Sequence, residues 1–532
     1  MKKSVFMLFL CLLTSFLSSS LSGQEPERNA KPLFELKARE KEGTGREKEV
    51  PVSSGTIAVT VEEAILLALQ NNRTLRIAEL NPPIRRTFEE EEEADFDPVL
   101  SAGAQFAREK AQVRARASAG FIDETASEGV ASANVSKFFP TGTTVSVGIL
   151  GERSWSDLYS DQYASRVGLS VTQALLQGAG TGVNLASLEQ TRLDTQASEY
   201  EFRGFAEALV AQVEETYWDY ALAKRQIQIF EKSLAVAEQQ LAEIEEMIAV
   251  GRMAEMEVIA AQAEIASQRQ GLIEAQGTMA TTRLRLLRLL NPPGPNLWGR
   301  EVELLYRPAV PDVTLDQVQT HVEVALRLRP DLNQARLAVE RGELEIVKTK
   351  NGLLPKMDFF ITLGKTGYSD SFGKSVENIK EDYYDVLAGI RFEYPIRNRE
   401  ARARYDRSIL RQDQITESLE NLTQLVELDV RSAYIEVTRA REQIAASTAT
   451  RRLQEEKLRI ETEKVRVGRS TVFLVSQAQR DLLSSEIVEV RSVVAYLKAL
   501  VQLYRLEGTL LERRGIAAPG REPVALKAPF QP

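Results

Sequence analysis

Hydrophobic residues recur at helical spacing over a stretch far longer than an ordinary helix. From Asn184 to Ala249 there is no proline and a single glycine, Gly204. A seam with steps mostly of three and four runs through Val210, Val213, Tyr217, Tyr220, Ile227, Phe230, Leu234, Ala237, Leu241, Ile244 and Ile248, the spacing of a coiled-coil face. A continuous helix over these positions would be about 100 Å long at about 1.5 Å per residue. The chain turns at Val250-Gly251-Arg252, becomes helical again as far as Leu290, and stops at Asn291-Pro292-Pro293-Gly294, where proline cannot continue a helix. The pattern predicts two very long antiparallel helices over 184–290.

Upstream the chain changes period. Thr60 followed by Glu63 has the form of a capping box opening a helix. A second helix is predicted from about Leu75 towards Ala94, kinked at Pro82 and Pro83. It ends in the acidic run Glu89–Glu93, which reads as a solvated face or as an acidic ring lining a lumen. Then Leu100, Ala102, Ala104 and Phe106 alternate with Ser101, Gly103 and Gln105. Val145, Val147 and Ile149, and again Val167, Leu169 and Val171, alternate with small or polar residues. A weaker candidate at 131–138 leads into a turn at Pro140-Thr141-Gly142. This period of two predicts strands over 98–176 with one apolar and one small or polar face. Either a soluble sandwich or a membrane barrel with its apolar face towards lipid satisfies that alternation.

The whole arrangement then repeats. Leu75 and Leu332, Ala78 and Ala335, and Pro98 and Pro355 share a spacing of 257 residues. Tyr217 and Tyr434, and Gly251 and Gly468, share one of 217. The capped helix is expected to restart at Val313-Thr314-Leu315-Asp316, strands at 355–396, and a second long hairpin over 401–511 turned at Val467-Gly468-Arg469. Arg441, Ser447, Arg451 and Glu461 interrupt the second seam. The change of spacing places about forty extra residues in the first strand region, accounted for most simply by an added hairpin around Val130 to Gly151. The chain thus divides into a signal peptide (1–23), a flexible charged leader (24–55), a first repeat (56–312), a second repeat (313–512) and a disordered tail (513–532).

Composition narrows the chemistry. Lys2 and Lys3 ahead of the apolar run Val5–Leu17 mark a secretory signal. No later apolar run is long enough for a membrane helix, so a membrane span would have to be made of strands. With 532 residues and a net charge of −9, the acidic balance speaks against nucleic acid as a partner. One Cys and one His leave no basis for a zinc site, a disulfide or Cys/His catalysis. His321 alone reads as structural, and no glycine-rich loop is followed by Lys-Ser/Thr. No cofactor and no enzyme activity is expected. The basic run Arg402, Arg404, Arg407 and Arg411 reads as a solvated face near the strand exit.

The ordered set of segments resembles the TolC-type outer-membrane efflux protein family over roughly residues 57–512. The segments are VTVEEAILLALQNN, FDPVLSAGAQF, GLSVTQALLQGAG, RPDLNQARLAVE, GLLPKMDFF and YPIRNREARAR. The chain departs from that pattern at Ala174, where the family often has proline, and in the extra residues of the first half. The resemblance implies an α+β membrane protein, internally duplicated and homotrimeric. Four strands per subunit would combine into a transmembrane β-barrel in outer-membrane lipid, and the long antiparallel helices into a coiled-coil barrel across the periplasm of a Gram-negative-type envelope. It implies docking of a periplasmic adaptor (membrane fusion) protein on the tips Val250, Gly251, Arg252 and Val467, Gly468, Arg469, with an inner-membrane pump behind it. It also implies a gate near the tips, with Glu257 as the carboxylate and Arg252 and Arg469 as further charges; Leu474 stands where the second copy would carry its acid. The function expected is a passive gated export duct of a tripartite efflux or secretion system. The alternative is a periplasmic or surface coiled-coil scaffold with a β head, soluble without detergent.

Overall fold

Two helical hairpins hang from one antiparallel sheet, and a belt of short helices and strands grips the hairpins part-way along. The computed structural model describes residues 35–36, 56–114, 120–156, 160–251, 253–305, 308–311 and 313–525. The expected signal peptide and, apart from Glu35–Leu36, the expected charged leader lie outside the described residues. Strand β1 (Glu35–Leu36) is followed by β2 (Thr56–Val59) and α1 (Val61–Asn71). The capping box of α1 is formed: Thr60 Oγ1 accepts from Glu63 N at 3.2 Å, and Thr60 N donates to Glu63 Oε2 at 2.8 Å.

The expected kinked helix is instead two, α2 (Arg73–Ala78) and α3 (Asn81–Glu93), with prolines in the first turn of α3. There a missing N–H breaks no hydrogen bond, whereas in a helix interior it would. The second copy shows the cause. Val339 and Glu340 stand where the prolines were, and its helix runs unbroken.

Four strands come next: β3 (Val99–Arg114), β4 (Phe121–Phe139), β5 (Thr143–Ser156) and β6 (Gln162–Ala174). A short turn, α4 (Thr181–Asn184), leads into α5 (Ala186–Ala249), 64 residues long. Its partner α6 (Met256–Leu290) returns to β7 (Glu301–Leu304). The second copy comprises α7 (Val318–Leu328), α8 (Pro330–Asn351), β8 (Lys356–Ser369), α9 (Phe372–Glu377), β9 (Tyr384–Glu393), α10 (Arg399–Arg466) and α11 (Val472–Leu506). It closes with α12 (Leu510–Arg513) and β10 (Ile516–Ala517).

Helix α7 starts later than Val313–Asp316. Val318 follows Val61 at the same 257-residue spacing, and Gln317, in Thr60's place, makes no side-chain cap. The sheet order is β3-β4-β5-β6-β8-β9, all antiparallel. Among the described residues the sheet has six strands, the four the resemblance implies and the two of the added hairpin. The extra pair is β4–β5, wider than the 130–151 expected, because both strands match the length of their neighbours and so keep their backbone paired throughout.

The turn of that added pair is fastened to the sheet exit. Gly142 O accepts from Ala174 N at 2.9 Å, and Asn184 Nδ2 reaches Pro140 O and Gly178 O at 3.0 and 2.9 Å. Gly142 has φ +85°, and a Cβ there would lie 2.3 Å from Gly178 O. Gly142→Val is expected to cost about 1–3 kcal/mol from the backbone alone, before the clash. Gly182→Val, with open space around it, should be near neutral. The denaturant midpoint of the purified protein measures both.

The main core lies where the belt crosses the rods. Ile65, Phe202, Val210, Val213, Leu286, Leu287, Leu290, Val430, Val437 and Leu503 are all buried in one cluster. Tyr217 and Tyr220 of α5 hold the parallel β2–β7 pair, their hydroxyls donating to Val59 O at 3.2 Å and Val302 O at 3.0 Å. His321 is buried against Glu507, with Tyr434's ring 5.7 Å away, and so ties α7 to the end of α11. The segment expected to be a loose tail is docked as far as it is described. β10 pairs with β1, Val524 N donates to Asn333 Oδ1 at 2.9 Å, and Tyr200's hydroxyl binds Glu522 O. Small tail residues close to α5, with Gly520 against Glu199 and Tyr200, let the backbone approach that helix.

Candidate functional site: the two-faced sheet and the hairpin tips

The strand register decides what the sheet can face. Because side chains alternate along a strand and directly paired residues share a face, the register carries one face across all six strands. Leu100 pairs with Val135, Val135 with Val147, Val147 with Leu169, Leu169 with Leu363 and Leu363 with Val386. One row further, Ala102, Ala133, Ile149, Val167, Lys365 and Tyr384 line up. In the other direction Val145, Val171, Ile361 and Ala388 do so. Leu100, Phe106, Ile149, Val386, Ile390 and Phe392 are exposed on this face. Trp155 lies against Phe106 on this face, ring centroids 5.5 Å apart and the planes tilted by 34°.

The opposite face is polar. Ser101, Asn134, Gly148, Gly168, Gly364 and Asp385 form one of its rows. On it Arg166 reaches over Gly364 to pair with Asp385, and any Cβ at Gly364 would collide with both. Ser170 and Thr362 hydroxyls bond across strands at 3.1 Å. A sheet with an apolar row running across all six strands on one side, from Leu100 to Val386, and hydroxyl-rich and charged on the other can separate a hydrocarbon phase from a wet one. Among the described residues, no helix is long and apolar enough to cross a membrane.

At the far end of the rods the two turns have one geometry. Gly251 has φ +75° and Gly468 φ +70°. Gly468 N donates to Val465 O at 2.9 Å and Arg469 N to Lys464 O at 2.8 Å, closing a Schellman cap; Gly251 N makes the matching bond to Ile248 O. Val250 and Val467, 70% and 68% exposed, stand at the apex with Met256 and Phe473 close behind. Arg252 lies outside the described residues. Arg469 is exposed, and Glu257 sits half-buried in the first turn of α6.

The two tips lie side by side. Val472 packs with Ile244 and Ala261 of the first hairpin, flanked by Leu241, Ile248 and Val258. Above this small apolar patch the hairpins are tied by Arg480 Nη1 to Glu264 Oε2 at 2.6 Å, with Glu264 buried and also receiving Gln268 Nε2 at 2.6 Å. Periodicity did not single out Glu264 or Arg480. The available signal was a carboxylate on a seam position, Glu264 between Ala261, Ile265 and Gln268. Where the second seam is interrupted, ion pairs hold α10 to α11: Arg451 Nε to Glu489 Oε2 at 2.6 Å and Lys457 Nζ to Asp481 Oδ2 at 2.7 Å.

A family model described as outer membrane efflux protein matches residues 64–292 and 322–509 of this chain. No curated protein sequence matches it. Solved outer membrane proteins of similar fold include the following three. The outer membrane protein VceC of Vibrio cholerae is 16% identical, with TM-score 0.63, covering 84% of this chain and 96% of its own. The CmeC outer membrane channel of Campylobacter jejuni is 15% identical, with TM-score 0.62 and coverages of 85% and 86%. The open state of the MtrE outer membrane channel of Neisseria gonorrhoeae is 18% identical, with TM-score 0.60 and coverages of 85% and 89%.

Proposed function

This chain belongs to the outer membrane efflux protein family, and from that premise we propose that it is the export duct of a tripartite efflux or secretion system, working as a homotrimer. The observation that carries the reading is the register that lines up an apolar row, Leu100, Val135, Val147, Leu169, Leu363 and Val386, across all six strands. The apolar face meets outer-membrane lipid and the polar face lines water. The rods continue the lumen through the periplasm, α5 alone giving about 100 Å.

The tips are the docking surface for a periplasmic adaptor, with an inner-membrane pump supplying the energy. Val250 and Val467 present paired apolar knobs at the apex, each set by a glycine in the left-handed region. Gating is separation of the tips. Parting the hairpins uncovers the Ile244–Ala261–Val472 patch and breaks the Arg480–Glu264 pair. Glu257 and Arg469 stand at the mouth as its charged groups. The duct is passive, so cargo crosses by diffusion once the mouth is open.

The test is Val250→Asp combined with Val467→Asp, followed by crosslinking in intact envelopes and identification of co-purified proteins. Burying a valine side chain is worth about 1.5 kcal/mol or more, so with two replaced adaptor recovery is expected to fall at least about 30-fold. The level and oligomeric state of the duct itself should not change. Undiminished adaptor recovery would overturn the docking assignment.

A further inference from the structure

The register also sorts charge at the rim of the sheet away from the rods. On Leu100's side, β8 carries five rows from Met357 to Lys365. At about 3.4 Å per residue and a tilt of about 40° they rise about 20 Å, close to the height of a hydrocarbon band. The next row, Gly151, Ser165 and Gly367, therefore marks the edge of that band. Beyond it the same side carries Arg108 and Lys110 on β3 and Arg153 on β5, all exposed. The carboxylates of this stretch, Glu109, Glu124, Glu128 and Glu152, fall on the opposite side by the alternation of each strand. Among the described residues, the acids bound to the cations are Asp123, with Lys110 Nζ at 3.2 Å, and Asp161, with Arg153 Nη2 at 2.7 Å.

Aromatic rings lie among these cations. Arg153 Cζ stands 4.4 Å from the centre of the Trp155 ring and 5.6 Å from that of Tyr163, an attraction that holds the guanidinium on this side. Phe106 lies two residues before Arg108 on the same side of β3. The small row is filled by α9 of the β8–β9 connection. Ser375 Oγ lies 2.7 Å from Ser165 Oγ, the Phe372 ring sits beside Gly151, and a Cβ at Gly367 would strike Ser375 O. The exposed Phe372 and Val376 add apolar surface at this level.

We propose that this rim binds the phosphate-bearing headgroup of an outer-leaflet lipid, with Arg108, Lys110 and Arg153 on the phosphates and Phe106 and Leu100 along an acyl chain. The proposal rests on the export-duct reading, which places the apolar rows in lipid and this rim on the outer side. A lipid suits the site better than a free anion because the cations continue the apolar side. One molecule can lay its chain on Phe106 and its phosphate on Arg108 without leaving β3. Charge-assisted bonds from arginine favour phosphate oxygens, and the carboxylates that would compete are separated from the site by the sheet.

The test uses the full chain purified from outer membranes in detergent and a fluorescent diglucosamine lipid bearing two phosphates. Arg108→Gln, Lys110→Gln and Arg153→Gln combined should weaken its binding about a hundredfold, at about fivefold per cation. Arg108→Gln with Lys110→Gln, which leaves Arg153 on its rings, should weaken it about 25-fold. Arg391→Gln on the polar side should leave it unchanged. The same lipid stripped of both phosphates should bind the unaltered protein as weakly as the triple variant binds the intact one. Undiminished binding by the triple variant, or equal binding of the two lipids, would overturn the proposal. So would displacement by inorganic phosphate at the concentration of the lipid, which would mark a site for a free anion. Those outcomes leave the export-duct reading standing, whereas a chain absent from outer membranes would defeat both.

Discussion

Leu169→Arg is expected to empty the outer-membrane fraction of this protein, while Ser170→Arg, one position on, leaves its level nearly unchanged. Leu169 lies mid-sheet on the apolar face, between Val147 and Leu363. Ser170 lies on the polar face, between Ser146 and Thr362. An arginine facing lipid near the bilayer midplane costs about 2–4 kcal/mol in a barrel, and a trimer would meet that cost three times. Against a total stability of about 5–15 kcal/mol, the effect is disabling. On the polar face the same guanidinium meets water and the hydroxyls of Ser146 and Thr362. Immunoblots of outer-membrane fractions, with unheated samples to reveal the oligomer, measure both variants. Equal accumulation of the two would mean that neither face meets lipid. A soluble scaffold would predict the reverse preference on neither side, since both faces would be wetted.

Raising the pH from about 5 to 8 is expected to lower the thermal unfolding midpoint of the purified protein, and Glu207→Gln to remove the larger part of that fall. Glu207 of α5 is buried, with Arg203 Nε 3.4 Å from its carboxylate and Glu512 on Arg203's other side. Burial raises the Glu207 carboxyl from its ordinary 4.5 to about 8, against the opposing pull of Arg203. The sign follows directly. Between those two values the folded chain holds a proton that the unfolded chain has released. The stabilisation is full below the unfolded value and is lost as pH rises through the folded one. The slope is up to about 1.4 kcal/mol per pH unit. Burial also raises Glu214, despite its bonds to Arg514, and Glu199, so the variant keeps a smaller slope of the same sign. The carboxyls held low by exposed ion pairs, such as Glu436 beside Arg439 and Glu456 beside Arg459, lose their contribution only at more acid pH and leave this window untouched. Parallel curves for wild type and Glu207→Gln between pH 5 and 8 would show that Glu207 is ionised throughout.

How far the chain could be read in advance depended on the range of the interaction concerned. The seam from Val210 to Ile248 was readable because helical neighbours three and four residues apart are local. Val210, Val213, Tyr217, Tyr220, Ile227, Ala237 and Ile244 are all buried in the structure. The alternation at Leu100–Phe106 and Val167–Val171 was readable for the same reason, at period two. The start of α7 is legible in the 257-residue spacing, which carries Val61 to Val318. The proline pair marks an interruption but does not say of which kind. A kink and a break differ by whether neighbouring helices hold the two halves together, and Ile77, Leu80 and Ile84 are exposed in one chain. Of the site, the two glycine turns were legible from a three-residue pattern. The Arg480–Glu264 tie and the Arg203–Glu207–Glu512 cluster were not, because a charge on a seam position looks like an interruption until its distant partner is known.

By itself the sequence determined the elements: which stretches are rods, which are two-faced strands, where they turn, and that the unit occurs twice. Each follows from side-chain periodicity and from backbone limits at glycine and proline, which act over a few residues. The tertiary structure alone decided how those elements are summed. The joining of β6 to β8, two tips packed side by side, a C-terminal segment docked on α5 and α8, and Glu214 buried beside Arg514 all depend on pairings between residues about two hundred or more positions apart. Such pairings leave no local period, because their energy comes from water excluded between surfaces that meet only after folding.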